Sequence, residues 1–314
     1  MKALKWGLVL IVLGLALGVF TFVRGDGESS FVLTDDDYSF IELEYSADRF
    51  SSFDFDLENK RVNIHPSDDD MVRIEYYDST LSWTTINEGD NQLSLIYDHE
   101  WYSGFAFSMF IRHRMYHTMD IYLPDYAYQE IVIHSTNGSF DIADRSFAAR
   151  LELSTSNGTF DLENVDVQND VSLSTSNGDI SLNDVDITGN LDIGSSNGEI
   201  YLNQVTSVLI DAATSNGRIT MNQVDCDSLD AATSNGRIEA TEVTANDVVM
   251  ISSNGDVNLD IIGLKTDYDY ELETTIGQIR IDGERSGSVD VDHDNERSIV
   301  LRTTNGDISL DFVS

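Results

Sequence analysis

Apolar and polar residues alternate in short runs through the second half of the sequence, and the alternation changes parity at regular intervals. Every second position is apolar from Leu151, then from Phe160, and then again from Val165. A two-residue period is typical of strands with one buried face, and no window here shows helical spacing. Each parity change marks a corner at which the chain bends while its apolar side stays inward. The pattern therefore predicts short strands joined by tight corners.

The corners carry a repeated Ser/Thr-x-Asn-Gly motif. Successive glycines lie 20, 20, 20, 19, 19, 19, 22 and 29 residues apart, counting a degenerate copy at Ile276-Gly277. A fixed period in this range predicts a stacked array of structural repeats. The corner residues are Asn137, Gly138, Asn157, Gly158, Asn177, Gly178, Asn197, Gly198, Asn216, Gly217, Asn235, Gly236, Asn254, Gly255, Asn305 and Gly306.

Two all-β folds compete for this pattern. Asn-Gly between strands is also a hairpin signal, so a long antiparallel meander is one alternative. Such a sheet would exceed the limit of about 10 strands for open twisted sheets and would leave one face uncovered. We favour a single-stranded β-solenoid (β-helix) over residues 131–314, with coils of roughly 20 residues. Its stacked asparagines are expected to form an amide ladder, and its glycines to take left-handed backbone. A line of polar ligands along that edge is the functional alternative.

The N-terminal segment predicts a membrane anchor. Lys2 and Lys5 precede the uncharged, apolar run Trp6–Val23, which Arg24 ends. A run of this length is just enough for a transmembrane helix, which needs about 20 residues. A cleaved signal peptide is the alternative, although bulky residues occupy the place of small ones before Arg24. We expect an anchor or signal-anchor over residues 1–24 and an acidic spacer over residues 25–37. The charge bias puts the N-terminus inside and the C-terminal domain extracytoplasmic, in a single-pass cell-membrane protein.

Residues 38–130 alternate less regularly, and we interpret them as irregular N-terminal coils and a cap rather than as a separate domain. An aromatic segment interrupts them. It either covers the open end of the core or forms an exposed partner-binding surface. The candidate surface residues are Trp101, Tyr102, Phe105, Phe107 and Phe110.

The composition narrows the classes of molecule that the protein can bind. The formal net charge is −38 and the pI is about 4.1, which disfavours nucleic acid and anionic lipid. The single cysteine, Cys226, excludes an intramolecular disulfide. We expect no nucleic-acid partner, contact with the cell membrane through the N-terminal helix, and a protein or glycan partner at the cell surface.

Candidate chemistry is sparse. His113 and His117 have a spacing that suits a metal on a helix, but they lack the intervening glutamate of zinc hydrolases. Acidic clusters at residues 35–37, 68–70 and 290–294 invite calcium without forming a known calcium loop. The residues after the corners could line up as an outer stripe, namely Asp179, Glu199, Arg218 and Arg237. We assign no catalytic, cofactor-binding or metal residues, no cofactor and no enzymatic activity.

The motifs resemble a known family. The turn Pro66-Ser-Asp-Asp-Asp70, the strand Asp120-Ile-Tyr-Leu-Pro124 and repeats such as Thr175-Ser-Asn-Gly-Asp-Ile180 carry the likeness. From about Phe40 onward the sequence resembles the bacterial putative-adhesin family of β-strand-repeat proteins, a domain of unknown function associated with the cell envelope. The resemblance implies an envelope protein, sometimes linked to envelope-stress regulation, and supplies no catalytic residues.

These observations favour a non-enzymatic, membrane-anchored extracytoplasmic solenoid that serves as a surface binding, adhesion or structural module. An accessory of an envelope-stress response is one alternative. A surface-polysaccharide-active enzyme is another, and it would need converging carboxylates in an outer groove.

Overall fold

The computed structural model describes residues 38–79, 82–99 and 114–313, and the fold within them is all-β. Short 3-10 helices occur in these ranges at Ala47–Arg49, Arg114–His117 and Lys265–Asp267. The strands are β1 (Tyr38–Ser46), β2 (Ser52–Asp56), β3 (Arg61–Pro66), β4 (Met71–Ser79), β5 (Ser82–Glu88), β6 (Gln92–His99), β7 (Thr118–Leu123), β8 (Glu130–Ser135), β9 (Phe140–Phe147), β10 (Arg150–Thr155), β11 (Phe160–Val167), β12 (Val171–Thr175), β13 (Ile180–Ile187), β14 (Asn190–Ser195), β15 (Ile200–Thr214), β16 (Ile219–Thr233), β17 (Ile238–Thr244), β18 (Asp247–Ser252), β19 (Val257–Ile262), β20 (Asp269–Ile276), β21 (Ile279–Ile281), β22 (Glu284–Ser286), β23 (Val289–Val291), β24 (Ser298–Asn305) and β25 (Ile308–Val313).

The predicted membrane anchor, residues 1–24, lies outside the described residues, as does the acidic spacer over residues 25–37. Within the described ranges, no helix combines the length and the apolar character needed to cross a bilayer.

Successive coils stack in parallel. Strand β10 pairs with β8 on one side and β12 on the other, so Leu153 lies between Ile133 and Leu173. Strand β11 pairs in the same way with β9 and β13. A meander requires antiparallel neighbours, whereas parallel pairing at a constant offset of one repeat fits the predicted solenoid.

The stack has two faces, and each coil contributes one strand to each of them. Face A contains β5, β6, β2, β8, β10, β12, β14, the second halves of β15 and β16, β18, β24, β20 and β23. Face B contains β1, β4, β7, β3, β9, β11, β13, the first halves of β15 and β16, β17, β19, β25, β21 and β22.

Alternate residues of both faces point inward and meet in one continuous core. Leu173, Leu182 and Val185, from a single coil, are each at most 1% exposed. Like stacks on like between coils, as where the rings of Phe140 and Phe160 lie parallel with centroids 5.0 Å apart. Burying each such side chain contributes about 1.5–3 kcal/mol, so the stacked core is the main source of stability.

The first residue of the corner motif explains its own recurrence. Thr175 Oγ1 donates to the carbonyl oxygen of Gly158 in the preceding coil at 3.1 Å, and accepts from the Gly178 backbone N–H at 3.1 Å. The hydroxyl therefore satisfies two backbone groups that the sheet ladder leaves unpaired at the corner. Only serine or threonine places a hydroxyl there without filling the core.

The glycines are required by close approach between coils. A Cβ on Gly178 would lie 1.7 Å from the Gly158 carbonyl oxygen, and Gly158 stands in the same relation to Gly138. The prediction of left-handed glycines is wrong, because positive φ among the described glycines occurs only at Gly263 and Gly283. The left-handed corner lies later in each coil and carries acidic or amide residues: Asp144, Asn164, Asp184, Gln204, Gln223 and Glu242.

At both ends the stacking order departs from the chain order. Strands β24 and β25 insert between β18–β19 and β20–β21, so the coil that comes last in sequence is second to last in space. At the other end, β2 and β3 lie between β6–β7 and β8–β9. Beyond these coils the pairing turns antiparallel, through β1, β4 and β5 at one end and β22 and β23 at the other. The three-residue strands β22 and β23 are short edges, which limits edge-to-edge association at the C-terminal end.

Lys60 lies buried between β2 and β3, in the N-terminal part of the core. It occupies the corner position that is glycine in later coils, and its side chain is only 2% exposed. Nζ donates to the carbonyl oxygens of Tyr77 at 2.6 Å and Tyr116 at 3.0 Å, and lies 4.3 Å from the Tyr97 ring centroid. Burial lowers the pKa of Lys60 to about 7.

Candidate functional site

An open groove of about 430 Å³ runs along face A across the central coils. Its floor is a row of small residues in consecutive strands, Gly194, Ala213 and Ala232. Ser174 and Ile251 continue this row at the two ends. Because outward side chains are minimal along the row, the groove exposes the strand surface over several coils. It follows the stacking axis, with a repeat of about 4.8 Å.

Serine hydroxyls border the groove on the corner side. Ser196, Ser215 and Ser234 come from successive corners and are exposed. Their hydroxyls can donate and accept hydrogen bonds to a bound molecule. The inner hydroxyls of the same corners are already engaged: those of Thr214 and Thr233 donate to glycine carbonyls of the preceding coil at 3.0 and 3.1 Å.

Carboxylates lie on the other side of the floor. Asp192, Asp211 and Asp230 are paired partners on adjacent strands, two residues before the floor positions. Burial, followed by the two neighbouring carboxylates, raises the pKa of Asp211. A cation or a hydrogen-bond donor placed against this row would therefore stabilise its charged carboxylates.

The arrangement suits binding of an extended ligand better than acid–base chemistry. The hydroxyls and carboxylates repeat in register, so they can contact a chain with donor groups at successive positions. The row of negatively charged carboxylates repels anionic polymers and favours neutral or cationic ones. Within the described residues, no group of three or more His, Cys, Asp or Glu side chains is placed to hold a metal ion.

The corner asparagines form a continuous amide ladder on the edge next to the groove. Asn177 Nδ2 donates to Asn157 Oδ1 at 2.7 Å, and Asn197 Nδ2 donates to Asn177 Oδ1 at 2.7 Å. The ladder runs in spatial order through Asn59, Asn137, Asn157, Asn177, Asn197, Asn216, Asn235, Asn254 and Asn305. Because each interior amide is bonded to the amides on both sides, the middle of this edge is a poor surface for polar ligands.

The residues predicted to form an outer stripe after the corners, such as Asp179 and Glu199, lie next to each other in adjacent coils. The Glu199 backbone N–H donates to Asp179 Oδ1 at 2.8 Å, and Arg237 forms an ion pair with Asp256 at 2.7 Å. Exposed pairs of this kind contribute about 0–1 kcal/mol, so the stripe adds little stability.

The other candidates from the sequence fall in different places. Trp101, Tyr102, Phe105, Phe107 and Phe110 lie outside the described residues, so the predicted partner surface stays a prediction.

His113 is likewise outside the described residues, whereas His117 is packed in a 3-10 helix. Burial and the nearby Lys60 lower the pKa of His117 to about 4. Cys226 faces the core, where burial raises the pKa of its thiol to about 12 and makes it unreactive.

In the acidic clusters that the structure describes, carboxylates accept hydrogen bonds from nearby backbone N–H groups of the same turn. Asp69 accepts from the Met71 backbone N–H at 3.1 Å and pairs with Arg73 at 3.3 Å. Asp294 N–H donates to Asp292 Oδ1 at 2.8 Å. The cluster at residues 35–37 lies outside the described residues.

The sequence analysis missed the groove and a second amide ladder. On face B, Asn203 Nδ2 donates to Asn183 Oδ1 at 2.5 Å, and Asn222 Nδ2 donates to Asn203 Oδ1 at 2.7 Å. A signal existed for both features, because these asparagines and the small floor residues recur at fixed offsets from the corners.

Comparison with known proteins gives a family. The family model described as "Toastrack DUF4097" matches residues 50–311. None of the curated proteins compared with the sequence matches it. A solved structure titled a putative adhesin, from Bacteroides fragilis NCTC 9343, is 15% identical, with 88% of this chain and 97% of that chain covered and a TM-score of 0.43. A putative cell adhesion protein from Clostridium sporogenes ATCC 15579 is 10% identical, with 88% and 100% covered and a TM-score of 0.23.

Proposed function

We propose that this chain, which belongs to the Toastrack DUF4097 family, is a non-enzymatic binding module that holds an extended neutral or cationic polymer along face A. The observation that carries the proposal is the groove, with its floor at Gly194, Ala213 and Ala232. Its length along the axis suits a chain-like ligand, a glycan or a peptide, more than a compact metabolite.

The charge distribution supports the same class of ligand. The carboxylates of Asp192, Asp211 and Asp230 lie along one border of the floor, and the serine hydroxyls lie along the other. A ligand with amino or hydroxyl donors satisfies both borders, whereas a polyanion meets repulsion from the row and from the net charge of −38.

Anchoring and location form part of the proposal. The apolar run Trp6–Val23 and the basic residues before it support an extracytoplasmic module held to the cell membrane by its N-terminus. In that arrangement the groove faces polymers outside the cell.

The test is a binding screen with a matched pair of variants. Purified protein lacking residues 1–37 is applied to immobilised neutral, amino-sugar and acidic glycans and to cationic peptides. Ala213→Trp fills the groove floor, whereas Thr206→Trp adds the same side chain to an exposed position elsewhere in the same strand. We expect one neutral or cationic class to bind, Ala213→Trp to abolish binding, and Thr206→Trp to leave it unchanged.

Equal loss in both variants, or binding that survives Ala213→Trp, would contradict the groove as the site. Binding confined to acidic glycans would contradict the charge argument. Turnover of any glycan in the same screen would instead support the alternative of a polysaccharide-active enzyme.

A further inference from the structure

Each Asn-Gly corner contains the reactants of spontaneous deamidation. The glycine backbone nitrogen attacks the side-chain carbonyl carbon of asparagine, a five-membered succinimide forms, and ammonia leaves. Water then opens the ring to aspartate or isoaspartate, so the net change consumes one water and releases one ammonia. Glycine has no side chain to hinder the attack by its backbone nitrogen. Asparagine is among the thermolabile residues.

At the corners from Gly138 to Gly236, the glycine N–H donates to the Ser/Thr hydroxyl of its own corner, and the asparagine amide is bonded into the ladder. The Gly178 N–H is buried and donates to Thr175 Oγ1 at 3.1 Å. The amide of Asn177 is held at both ends, since it donates to Asn157 and accepts from Asn197, each at 2.7 Å. Turning the amide toward the backbone nitrogen must break both ladder bonds, at a net cost of about 1 kcal/mol each.

The last rung of the ladder lacks half of this protection. Asn305 Nδ2 donates to Asn254 Oδ1 at 2.8 Å, but the next position in the stack is Ile276, which has no amide to donate. Ile276 is 67% exposed, and no described residue donates to Asn305 Oδ1.

The nucleophile at this corner is also held differently. The Gly306 N–H donates to the Ile276 carbonyl oxygen at 3.0 Å, and the Thr303 hydroxyl, which donates to Gly255, does not take it up. Gly306 is half-buried, whereas Gly178 is buried, so water reaches this corner more readily.

We propose that Asn305 is a deamidation site built into the end of the ladder, and that stacking protects the interior asparagines from the same reaction. The product at position 305 carries a carboxylate. It cannot donate to Asn254 Oδ1, so the last link of the ladder is lost and the C-terminal end of the stack loosens.

The test follows each Asn-Gly site by peptide mass spectrometry while the full chain is kept folded in warm, mildly alkaline buffer. We expect Asn305 to convert at least about fivefold faster than Asn177, the ratio that one extra hydrogen bond of about 1 kcal/mol gives. In urea the two rates should converge, because the ladder is gone. Equal rates in the folded protein, or a faster reaction at Asn177, would overturn the proposal.

Substitutions at the next position separate the ladder effect from exposure. Ile276→Asn supplies the missing donor, so we expect the reaction at Asn305 to slow by about fivefold, again for a bond of about 1 kcal/mol, and the fastest conversion to move to position 276. Ile276→Val, which supplies no donor, should leave the Asn305 rate unchanged. An unchanged rate in the folded Ile276→Asn protein would also overturn the proposal.

Discussion

Replacing Gly178 by alanine adds one methyl group at the tightest point between two coils. The new Cβ would lie 1.7 Å from the Gly158 carbonyl oxygen and 3.1 Å from the Thr159 backbone nitrogen. Both atoms belong to the backbone of the preceding coil, so no side-chain rotation relieves the overlap. The two coils must separate locally by more than 1 Å, since Cβ contacts shorter than 3.0 Å are essentially never observed.

The separation breaks the hydrogen bonds that cross the corner. These are the bond from Thr175 Oγ1 to Gly158 O at 3.1 Å and the two bonds from Asn177, N to Ser156 O at 3.0 Å and Nδ2 to Asn157 Oδ1 at 2.7 Å. At about 1 kcal/mol each, their loss lowers the free energy of unfolding by about 3 kcal/mol.

Urea unfolding followed by circular dichroism measures this loss, with the m-value as a check that the folded state stays compact. Two glycines serve as controls. Gly287→Ala meets nothing within 4 Å and should change stability by no more than about 0.5 kcal/mol. Gly283→Ala is equally open but has a φ of +77°, so it should cost about 1–2 kcal/mol through backbone strain alone. A Gly178→Ala loss no larger than that of Gly287→Ala would refute the close-approach argument.

Three further outcomes follow from the same structure. Asn177→Asp should cost about 1–3 kcal/mol near neutral pH, because a carboxylate then faces Asn157 Oδ1, and urea unfolding at pH 3 should recover part of the loss. The folded pKa of Lys60 is about 7, below its ordinary value of 10.5, so the unfolded chain binds the extra proton between these values. Stability should therefore rise with pH above 7 by up to about 1.4 kcal/mol per unit, and urea titrations of Lys60→Met should lack that slope. The Cys226 thiol should resist alkylation at pH 8 in the folded protein and react at once in urea, as mass spectrometry can show.

The period of the repeat was sufficient to predict the strands and corners, because each apolar position in the sequence corresponds to an inward position in the coil. It was not sufficient to predict why glycine recurs. The Gly178 constraint comes from the carbonyl of Gly158, twenty residues earlier, and only the stacking distance reveals it. Local turn chemistry suggested left-handed backbone, which the structure places at Asn164 and its equivalents.

The spatial order of the terminal coils could not be predicted from the sequence either. The spacing of 22 and 29 residues around Gly277 suggested a degenerate repeat followed by an insertion. In the structure, Asn305 follows Asn254 in the ladder and Ile276 comes after both. The first rung, Asn59, was missed because Lys60 stands where the motif has glycine.

The inserted coil at the C-terminal end sets an order of assembly. Strands β24 and β25 occupy a slot between β18–β19 and β20–β21, although both neighbouring coils are synthesised before them. The regular coils can stack one after another as the chain emerges, but this slot must stay open until residues 298–313 arrive. Until then the edges of β18 and β19 are unpaired and can recruit a strand from another molecule. Completion of the rod is therefore a late closing step, and a chain truncated before β24 would be prone to aggregate even though most of its coils are complete.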